Sequence, residues 1–582
     1  MTGLIVTLFK SGDNGNPDNY RGITLNNSIS KLYTLILNNR MTQFCENNNI
    51  IKDNQIGFRN KFRTADHVFT LKTLIDQSFA KKKPLYACFV DFKKAYDSVW
   101  REGLFLKLLE AGFSCKFVKT IQGMYTGLQS CVQLSNGISI PFASVLGLKQ
   151  GCNLSPMLFN IFINKLIVDL DKTDGDAPKL GHLLVGCLFY ADDLVLLSET
   201  KEGLQKQLDT LNKYMSEWFL EANVSKTKCI TFKKGGHGQP CHQWDLGGVP
   251  IEECNSYCYL GVVFDKTGSL KSAYKALRDK GLGAMFSLIR NIYKHRTVSI
   301  PLLLELFDKL ISPILLYNSE VWGTSFLPSN RNSAGILDYS CLSKHMTENV
   351  QLSFLKIILS VPIRTSSWAV ISETGRYPLA LQAWWSMLKF RHHINNSRSG
   401  ILRAALETNA HLHFEGNITW YTHLDRILKF FNLEYLQCIV EEKELFSQIL
   451  KTKAVMRKRF IGTWEVEKAK WTTSGKLDLF ADLVDTFELA DYLKTVANAK
   501  HRSSMTRMRV SAHKFPIEQG RFNNISRTDR ECYLGCKVLG DETHYMTTCM
   551  HPFMREIIEP VLSKIGSLDT GFLDLGIFPF IC

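Results

Sequence analysis

The sequence predicts an α+β fold over residues 1–267 and a mostly helical region after it. Short apolar runs typical of strands alternate with segments whose apolar residues recur every three or four positions, as in amphipathic helices. Two of the strand-like runs lead into acidic residues, Asp91 in one case and the adjacent Asp192 and Asp193 in the other. Beyond residue 267 the helical pattern dominates. Helices and strands that alternate around acidic strand ends indicate an α+β domain.

The acidic pair Asp192 and Asp193 interrupts an apolar run over residues 188–197. Apolar strands on either side would place at least one carboxylate at the tip of a hairpin. Two like charges this close repel each other, and a divalent cation such as Mg²⁺ relieves the repulsion by taking carboxylate oxygens as ligands. Aspartate also favours ordinary turns. The residues alone leave both interpretations open.

Asp91 follows a short apolar run over residues 86–90, which predicts a buried strand. A carboxylate at the end of a buried strand is costly unless something binds it. The structural alternative, capping of the next helix, fits Asp97 better than Asp91. Asp91 is therefore a second candidate for a functional carboxylate.

The remaining elements of this part follow from the same patterns. A loop of turn-forming residues over 10–22 precedes a helix predicted over 29–41. A Ser-Asn-Gly sequence predicts a hairpin within 130–146, and Ser155 with Pro156 opens a helix that has one apolar face. Three further elements are predicted, namely a helix over 204–219, a strand over 229–232 and a strand over 257–264.

The composition is that of a folded protein with a polyanionic partner. Of the 582 residues, 45% are hydrophobic and 21% are charged, and the net charge is +15. Lysine and arginine gain affinity for a phosphate backbone through counterion release, so the charge favours nucleic acid, with an anionic membrane surface as the competing partner. The sequence has no uncharged apolar run of 18 residues and no recognisable secretory signal, so we expect no membrane association. The 16 cysteines are scattered, which is typical of reduced proteins in the nucleus or cytoplasm.

A group of potential metal ligands lies near the C-terminus, after the basic residues Arg521, Arg527 and Arg530. Three cysteines and one histidine make up this group, Cys532, Cys536, His544 and Cys549. Three thiolates and one imidazole are sufficient for a closed tetrahedral zinc site. Chance spacing is the alternative in a chain with 16 cysteines. The sequence predicts one structural Zn²⁺ at this group.

Taken together, these motifs resemble the polymerase of non-LTR (LINE-type) retrotransposons, which is a reverse transcriptase. Seven segments carry the resemblance in the order of that family, two in the fingers, three in the catalytic core, then a fourth core motif and a primer grip: residues 19–25 (NYRGITL), 55–59 (QIGFR), 89–97 (FVDFKKAYD), 151–160 (GCNLSPMLFN), 189–193 (FYADD), 223–228 (NVSKTK) and 259–261 (YLG). Residues 312–322 resemble the region after the family's thumb. The cysteine–histidine group resembles its terminal zinc knuckle.

The resemblance implies the architecture of a right-hand polymerase. Fingers and a palm with an antiparallel sheet are expected over residues 1–267, and a helical thumb over 268–330. A helical region of unknown role is expected over 331–510, followed by a basic segment with the zinc knuckle over 511–582.

The resemblance also implies the chemistry. An RNA-directed DNA polymerase transfers a nucleotide from a dNTP to the 3′ hydroxyl of a DNA primer on an RNA template, with two Mg²⁺ ions. Asp91, Asp192 and Asp193 are the implied catalytic metal ligands, and Lys226 is the implied proton donor to the pyrophosphate. The implied contacts to nucleotide or template are Arg21, Arg59, Phe92, Tyr96, Gln150 and Gly151, of which Tyr96 would exclude a 2′ hydroxyl.

Two alternatives stay open at this point. A nucleic-acid-binding remnant without catalysis would keep the palm and the knuckle, and a group II intron-type maturase would share the palm but differ in its C-terminal region. Complete elements of the resembling family also carry an endonuclease, whereas here Met1 lies close to the first fingers motif and 33 residues (582 − 549) follow Cys549. We therefore expect a truncated reading frame without an endonuclease.

Overall fold

The computed structural model describes residues 2–10, 12–134, 136–235, 243–294, 298–328, 335–439, 441–474 and 477–566. They form two compact units, one comprising Met1–Ala273 with Phe390–His423 and the other Tyr274–Lys389 with Leu424–Cys582. The domain boundaries expected at 267, 330 and 510 stay predictions. Residues 567–582, at the end of the expected knuckle segment, lie outside the described residues.

Among the residues that the structure describes, the named strands all lie in the first unit. In chain order they are β1 (Thr2–Phe9), β2 (Tyr20–Leu25), β3 (Leu85–Val90), β4 (Gln129–Leu134), β5 (Gly137–Ile138), β6 (Phe142–Ala143), β7 (Lys179–Leu180), β8 (Leu183–Leu184), β9 (Cys187–Tyr190), β10 (Asp193–Ser198), β11 (Lys228–Phe232), β12 (Trp244–Leu246), β13 (Val249–Glu253), β14 (Ser256–Tyr259) and β15 (Val262–Asp265). The described part of the first unit also contains the α-helices α1 (Ser28–Asn47), α2 (Thr64–Ala80), α3 (Arg101–Glu110), α4 (Cys115–Tyr125), α5 (Ser155–Lys172) and α6 (Lys201–Trp218). The predicted helices at 29–41, Ser155 and 204–219 are confirmed as α1, α5 and α6.

A six-stranded sheet in the order β12-β13-β11-β3-β10-β9 forms the centre of this unit. Its strands β11, β3, β10 and β9 are antiparallel, with Leu194 of β10 and Lys228 of β11 opposite Val90 and Phe89 of β3. The prediction of an antiparallel palm sheet is wrong at one edge, because β13 pairs with β11 in parallel. The reason is that β12 forms a hairpin with β13, so β13 runs in the direction of β11.

The strand β3 is buried along its whole length. Helices α2 and α6 both contact it, so its side chains are covered on both faces. This double burial explains why its sequence is a continuous apolar run rather than an alternating one.

The single strand predicted over 257–264 is in fact a hairpin of β14 and β15. Leu260 and Gly261, between the two strands, have φ of +47° and +79°. Positive φ at both central residues is the requirement of the tight hairpin turn that matches strand twist. The apolar run reads as one strand because the turn has no polar residue to mark it.

A second sheet pairs the first two strands of the chain with strands from residues 129–143. Its order is β2-β1-β4-β5, and β6 also pairs with β4. The strand β1 pairs with β2 antiparallel and with β4 in parallel. The predicted hairpin in residues 130–146 is confirmed by the pairing of β4 with β5, although residue 135 in its turn lies outside the described residues.

Residues 390–423 return to the first unit from much later in the chain. Their helix α15 (Gly400–Phe414) packs on α2, where the Asn409 amide donates to Thr73 Oγ1 at 3.1 Å. His393 Nε2 lies 3.0 Å from the buried carboxylate of Asp66. These contacts connect the segment to the helix that follows the 55–59 fingers motif.

The second unit is helical. Its helices are α7 (Lys271–Lys294), α8 (Ile300–Leu306), α9 (Ser312–Leu315), α10 (Ser319–Trp322), α11 (Tyr339–Leu342), α12 (Met346–Ile358), α13 (Ser367–Glu373), α14 (Leu379–Asn395), α16 (Trp420–Phe431), α17 (Glu442–Ser474), α18 (Asp478–Leu483), α19 (Asp491–Thr495), α20 (Ala499–Arg509), α21 (Pro516–Phe522) and α22 (Pro552–Gly566), of which α7, α14 and α16 extend across the division between the units. Among the described residues, every helix is too short or too polar to cross a membrane.

Candidate active site

The three predicted catalytic carboxylates lie at one end of the central sheet. Asp91 directly follows β3, while Asp192 lies in the turn between β9 and β10 and Asp193 begins β10. Because Leu194 is opposite Val90 in antiparallel register, Asp193 comes opposite Asp91 one step further along. The sheet therefore brings together carboxylates that are 101 residues apart (192 − 91).

The surroundings of Asp192 and Asp193 make these two carboxyls harder to ionise. Burial raises the pKa of Asp192, and the charge of Asp91 raises it further, whereas the cations Arg21 and Lys10 lower it. Burial also raises the pKa of Asp193, and with the charges of Asp192 and Asp91 brings it to about 6. Carboxylates held together at such a cost are suitable ligands for a hard divalent cation.

As they stand, the three aspartates do not form a closed group of metal ligands. Among the described residues, the group of three or more metal-ligand side chains whose ligand atoms all lie within 4.8 Å is the C-terminal cysteine–histidine group. The three aspartates would therefore draw closer together around the ions.

A glutamine holds the turn that carries Asp192. Gln55 is fully buried, its Oε1 accepts from the Ala191 N–H at 2.9 Å, and its Nε2 donates to the Ala191 carbonyl at 3.0 Å. Ala191 has φ of +57°, a conformation that costs a residue with a side chain roughly 1–2 kcal/mol. The two hydrogen bonds hold Ala191 in this conformation and so set the direction in which the next residue, Asp192, leaves the strand.

The rest of the 55–59 motif packs on the same turn. A Cβ added to Gly57 would lie 2.2 Å from the backbone nitrogen of Ala191, so only glycine allows this approach. The Gly57 carbonyl accepts from Asn160 Nδ2 of α5 at 2.7 Å. His67 Nε2 lies 2.9 Å from the Asn54 carbonyl and 3.0 Å from the Phe189 carbonyl, and burial lowers its pKa to about 4, so it is a neutral donor there.

The 223–228 segment forms hydrogen bonds with the backbone of Asp91. The Asn223 N–H donates to the Asp91 carbonyl at 2.6 Å, and the Asp91 N–H donates to Thr227 Oγ1 at 3.3 Å. Lys226 is exposed in the turn between these two residues. The structure thus places the predicted proton donor within the turn that contacts Asp91.

Tyr96 and Arg21 lie close enough to the acidic pair to interact with it electrostatically. The ring of Tyr96 stacks on Phe159 at 4.9 Å, and its buried hydroxyl has no hydrogen-bond partner among the described residues. Burial raises the pKa of Tyr96, Asp192 raises it further and Arg21 lowers it. An unpaired hydroxyl next to the carboxylates is consistent with a position beside an incoming sugar.

Gln150 and Gly151 line the loop before α5. Gln150 Nε2 donates to Asp97 at 3.0 Å, and its carbonyl accepts from the Thr24 N–H at 2.7 Å. Gly151 has φ of +104°, and a Cβ there would lie 2.8 Å from the Thr24 carbonyl. These contacts join the catalytic-core loop to the strand β2 that carries Arg21.

Two of the residues predicted to contact nucleotide or template, Arg59 and Phe92, are buried among other protein groups. Arg59 is 9% exposed, and its guanidinium forms a bidentate ion pair with Glu46 at 2.8 and 2.9 Å. It also donates to the carbonyls of Lys52 and Gln55. Phe92 is 6% exposed and belongs to the core of the first unit.

The cysteine–histidine group lies in the second unit, at some distance in sequence from these residues. Cys532, Cys536, His544 and Cys549 bring their ligand atoms within 4.8 Å of one another. The sulfurs of Cys536 and Cys549 are 3.7 Å apart, and two thiolates bound 2.3 Å from a tetrahedral zinc would be separated by about 3.8 Å. His544 Nε2 is buried and has no hydrogen-bond partner among the described residues. This donor set and spacing fit a structural Zn²⁺.

Burial on its own would raise the pKa of Cys532, but hydrogen bonds outweigh it. Donors that include the Tyr545 hydroxyl and the Leu534 N–H lower the pKa of Cys532 to about 6. Thiolate is the form that binds metal. The surroundings of this sulfur therefore favour ligation.

Sequence reasoning did not find three residues that the structure places at the site. Gln55 lies within a recognised motif, but its backbone contacts depend on the turn at Ala191. Lys10 contributes positive charge to Asp192 and Asp97. Burial raises the pKa of Tyr257, and the charges of Asp91 and Asp193 raise it further, which places it by the carboxylates. The polar loop that carries Lys10 was the one available sequence signal.

Comparison with known proteins agrees with this geometry. Residues 10–264 match the family described as reverse transcriptase (RNA-dependent DNA polymerase). The chain is 29% identical over 329 residues to a probable RNA-directed DNA polymerase from transposon BS of Drosophila melanogaster, and 24% identical over 329 residues to an RNA-directed DNA polymerase from mobile element jockey of Drosophila funebris; each match covers 55% of this chain and 35% of the relative. It is 29% identical over 265 residues to a retrovirus-related Pol polyprotein from type-2 retrotransposable element R2DM of Drosophila melanogaster, covering 44% of this chain and 24% of that protein.

The chain thus spans about a third or less of the length of these curated relatives. The match covers both elements that carry the carboxylates and the fingers motif that braces their turn. Residues 10–264 therefore match the reverse transcriptase family, and the relatives named above are polymerases or Pol polyproteins of transposable elements.

Proposed function

We propose that this protein is an RNA-directed DNA polymerase of a non-LTR retrotransposon, which extends a DNA primer with dNTPs on an RNA template. The observation that carries the proposal is the meeting of Asp91 with Asp192 and Asp193 at one end of the central sheet, where the charge of Asp91 raises the pKa of both Asp192 and Asp193. A site built only for stability would not place three carboxylates together in partly buried surroundings.

Asp91, Asp192 and Asp193 would hold two Mg²⁺ ions. Such ions make the primer 3′ hydroxyl a better nucleophile and neutralise the charge that develops on the triphosphate. Other residues of this chain hold these carboxylates in position. Gln55 orients the turn of Asp192, and Asn223 and Thr227 orient Asp91.

The groups around the carboxylates have separate roles in this proposal. Tyr96, stacked on Phe159, closes the space beside the sugar and selects dNTP over rNTP. Arg21 and Lys10 supply positive charge for the triphosphate or the template phosphates. Lys226 gives a proton to the departing pyrophosphate.

Cys532, Cys536, His544 and Cys549 would hold one structural Zn²⁺. The ion would connect the turn before residue 536 to the π-helical turn over His544–Thr548 and so fold the end of the described chain. A small zinc-stabilised module of this kind can contact single-stranded or distorted nucleic acid.

The test is primer extension by the full chain on a primed RNA template, with Mg²⁺ and dNTPs. We expect extension by the natural chain and loss of at least about 10³-fold in Asp192→Asn, since removing a metal-ligand carboxylate removes charge stabilisation worth several kcal/mol. Asp209→Asn, an exposed aspartate on α6, is the matched control and should extend normally. Absence of extension in the natural chain, together with tight and salt-sensitive RNA binding, would instead support the non-catalytic remnant.

A further inference from the structure

The helical second unit contains a cavity of about 640 Å³ that the polymerase chemistry does not use. This volume lies within the range of roughly 300–1,000 Å³ that is typical of small-molecule sites. Its walls come from residues 308–319, α12, α14 and the turn before it, and α17, so it is formed by segments far apart in sequence. All of its lining residues belong to the second unit.

The cavity carries an excess of positive charge. Three of its lining residues are cationic and one is acidic. The acidic residue, Asp308, is already engaged in a bidentate ion pair with Arg376. Among the described residues, no carboxylate lies within ion-pair distance of the other two cations, Lys453 and Arg457 of α17.

These two cations are held in place by aromatic rings. The guanidinium of Arg457 lies 4.7 Å from the centre of the Tyr377 ring, and the ammonium of Lys453 lies 4.6 Å from that of Trp385. Partial burial lowers the pKa of Lys453, the nearby charge of Arg457 lowers it further, and the charge of Asp308 raises it. Because Asp308 is shared with Arg376, the three cations still outnumber the one carboxylate, and a bound anion would reduce the repulsion between Lys453 and Arg457 at i and i+4.

A buried side-chain amide in the cavity wall indicates that the ligand also carries an N–H donor. Gln351 is 1% exposed, and its Nε2 donates to Glu348 Oε1 at 3.0 Å and to the Tyr377 carbonyl at 3.1 Å. Glu348 is itself fixed by the Tyr339 hydroxyl and the Leu379 N–H. The amide orientation is therefore determined, and Gln351 Oε1 has no hydrogen-bond partner among the described residues. A buried acceptor without a partner is unfavourable, and a ligand N–H that reaches it would satisfy it.

We propose that this cavity binds a nucleotide unit, with its phosphate at Lys453 and Arg457 and an N–H of its base donating to Gln351. A nucleotide combines a strong anion with a planar base that carries N–H donors, and the cavity offers two cations, an acceptor amide and the ring of Tyr377. A free nucleotide and one unit of a nucleic-acid strand share this chemistry. The proposal does not depend on polymerase activity.

The test uses photolabelling of the full chain by 8-azido-AMP in magnesium-free buffer, which avoids metal-dependent binding at the aspartates. Labelled peptides are identified by mass spectrometry. We expect the label on peptides that contain Gln351, residues 375–386 or residues 453–457. The double variant Lys453→Gln with Arg457→Gln should reduce that label by about 100-fold, since each charged contact is worth about tenfold.

The matched control is the double variant Lys451→Gln with Lys458→Gln, which removes two exposed cations from the same helix α17 outside the cavity. It should label like the natural chain. The proposal would be overturned if the label is found on other peptides, or if the amount of label decreases equally in both double variants.

Competition by unlabelled compounds tests the base contact separately from the phosphate contact. It also shows whether the occupant is a free nucleotide or part of a strand. AMP should displace the label better than ribose 5-phosphate in the natural chain, and no better in Gln351→Met, whose melting temperature reports that it is folded. Equal competition in the natural chain would overturn the base contact. Stronger competition by a ten-nucleotide oligo(dA) than by AMP identifies a strand as the occupant, and equal or weaker competition identifies a free nucleotide; both support a nucleotide site.

Discussion

Gln55 pairs through its side-chain amide with both backbone polar groups of Ala191, at 2.9 and 3.0 Å. The two residues are 136 positions apart, and both are buried. Ala191 adopts φ of +57° immediately before Asp192. The fingers motif thus determines the backbone geometry of the acidic turn, and a change at Gln55 should be felt at the carboxylates.

Gln55→Met keeps the length of the side chain and leaves both groups of Ala191 without partners. Two orphaned backbone groups cost about 1–3 kcal/mol each, so we expect a lower melting temperature and a fall in kcat of at least about tenfold. The fall should be in kcat rather than in the KM for dNTP, because the change misplaces Asp192 and removes no ligand contact. Gln122→Met, at an exposed glutamine of α4, is the control. Unchanged kcat with a lowered melting temperature would mean that Gln55 acts on stability alone.

Magnesium should stabilise the protein in a pH-dependent way. The pKa of Asp193 is raised from 3.8 to about 6, so the folded chain takes up this proton before the unfolded chain does. Without metal, the contribution of Asp193 to stability is therefore lost as pH rises from about 4 through about 6. Protons compete with Mg²⁺ for the same oxygens. We expect Mg²⁺ to raise the melting temperature at pH 7.5 and to have little effect at pH 5, as measured by thermal scanning.

The double variant Asp192→Asn with Asp193→Asn is the control for this pH effect. It should show no stabilisation by Mg²⁺ at either pH, and its stability in metal-free buffer should depend less on pH between 4 and 6. A magnesium effect that is equal at both pH values would contradict protonation of these carboxylates as its cause.

The cysteine–histidine group should contain one zinc per chain. Cys549→Ala should abolish this zinc in elemental analysis, because three remaining ligands leave the tetrahedral site open. Chelator treatment of the natural chain should raise hydrogen exchange over 532–549 while leaving the central sheet protected. Cys258→Ala, at an exposed cysteine outside the group, should keep its zinc. Purified chain without zinc would end this assignment.

The ion pair between Arg59 and Glu46 should act mainly on stability. The side chains are 6% and 16% exposed, so Arg59→Met leaves a largely buried carboxylate and should cost about 3 kcal/mol in the free energy of unfolding. The double variant Glu46→Met with Arg59→Met should recover part of this loss, because no unpaired charge remains. Denaturant unfolding of the two single variants and the double variant measures the coupling. A large rise in the KM for dNTP without loss of stability would favour the nucleotide contact expected from the motif.

Most elements of the first unit could be predicted because their local signals agree with their tertiary surroundings. The buried strand β3 and the helices α5 and α6 follow from apolar runs and helical spacing alone. The hairpin at Leu260 was missed because Gly261 is the one turn-forming residue within an otherwise apolar run, and the parallel edge of the sheet was missed because it depends on where β12 folds back.

The sequence by itself singled out Asp91, Asp192 and Asp193 as candidate functional residues, because acidic residues interrupt or end apolar runs that predict strands. It also singled out the four cysteine and histidine residues of the candidate zinc group, since these are close together in the chain. Only the tertiary structure decided what orients those residues. The contact of Gln55 with Ala191, the return of residues 390–423 to α2, and the cavity around Gln351 and Arg457 all join segments distant in sequence. Such contacts depend on how the elements pack, and no local pattern records that.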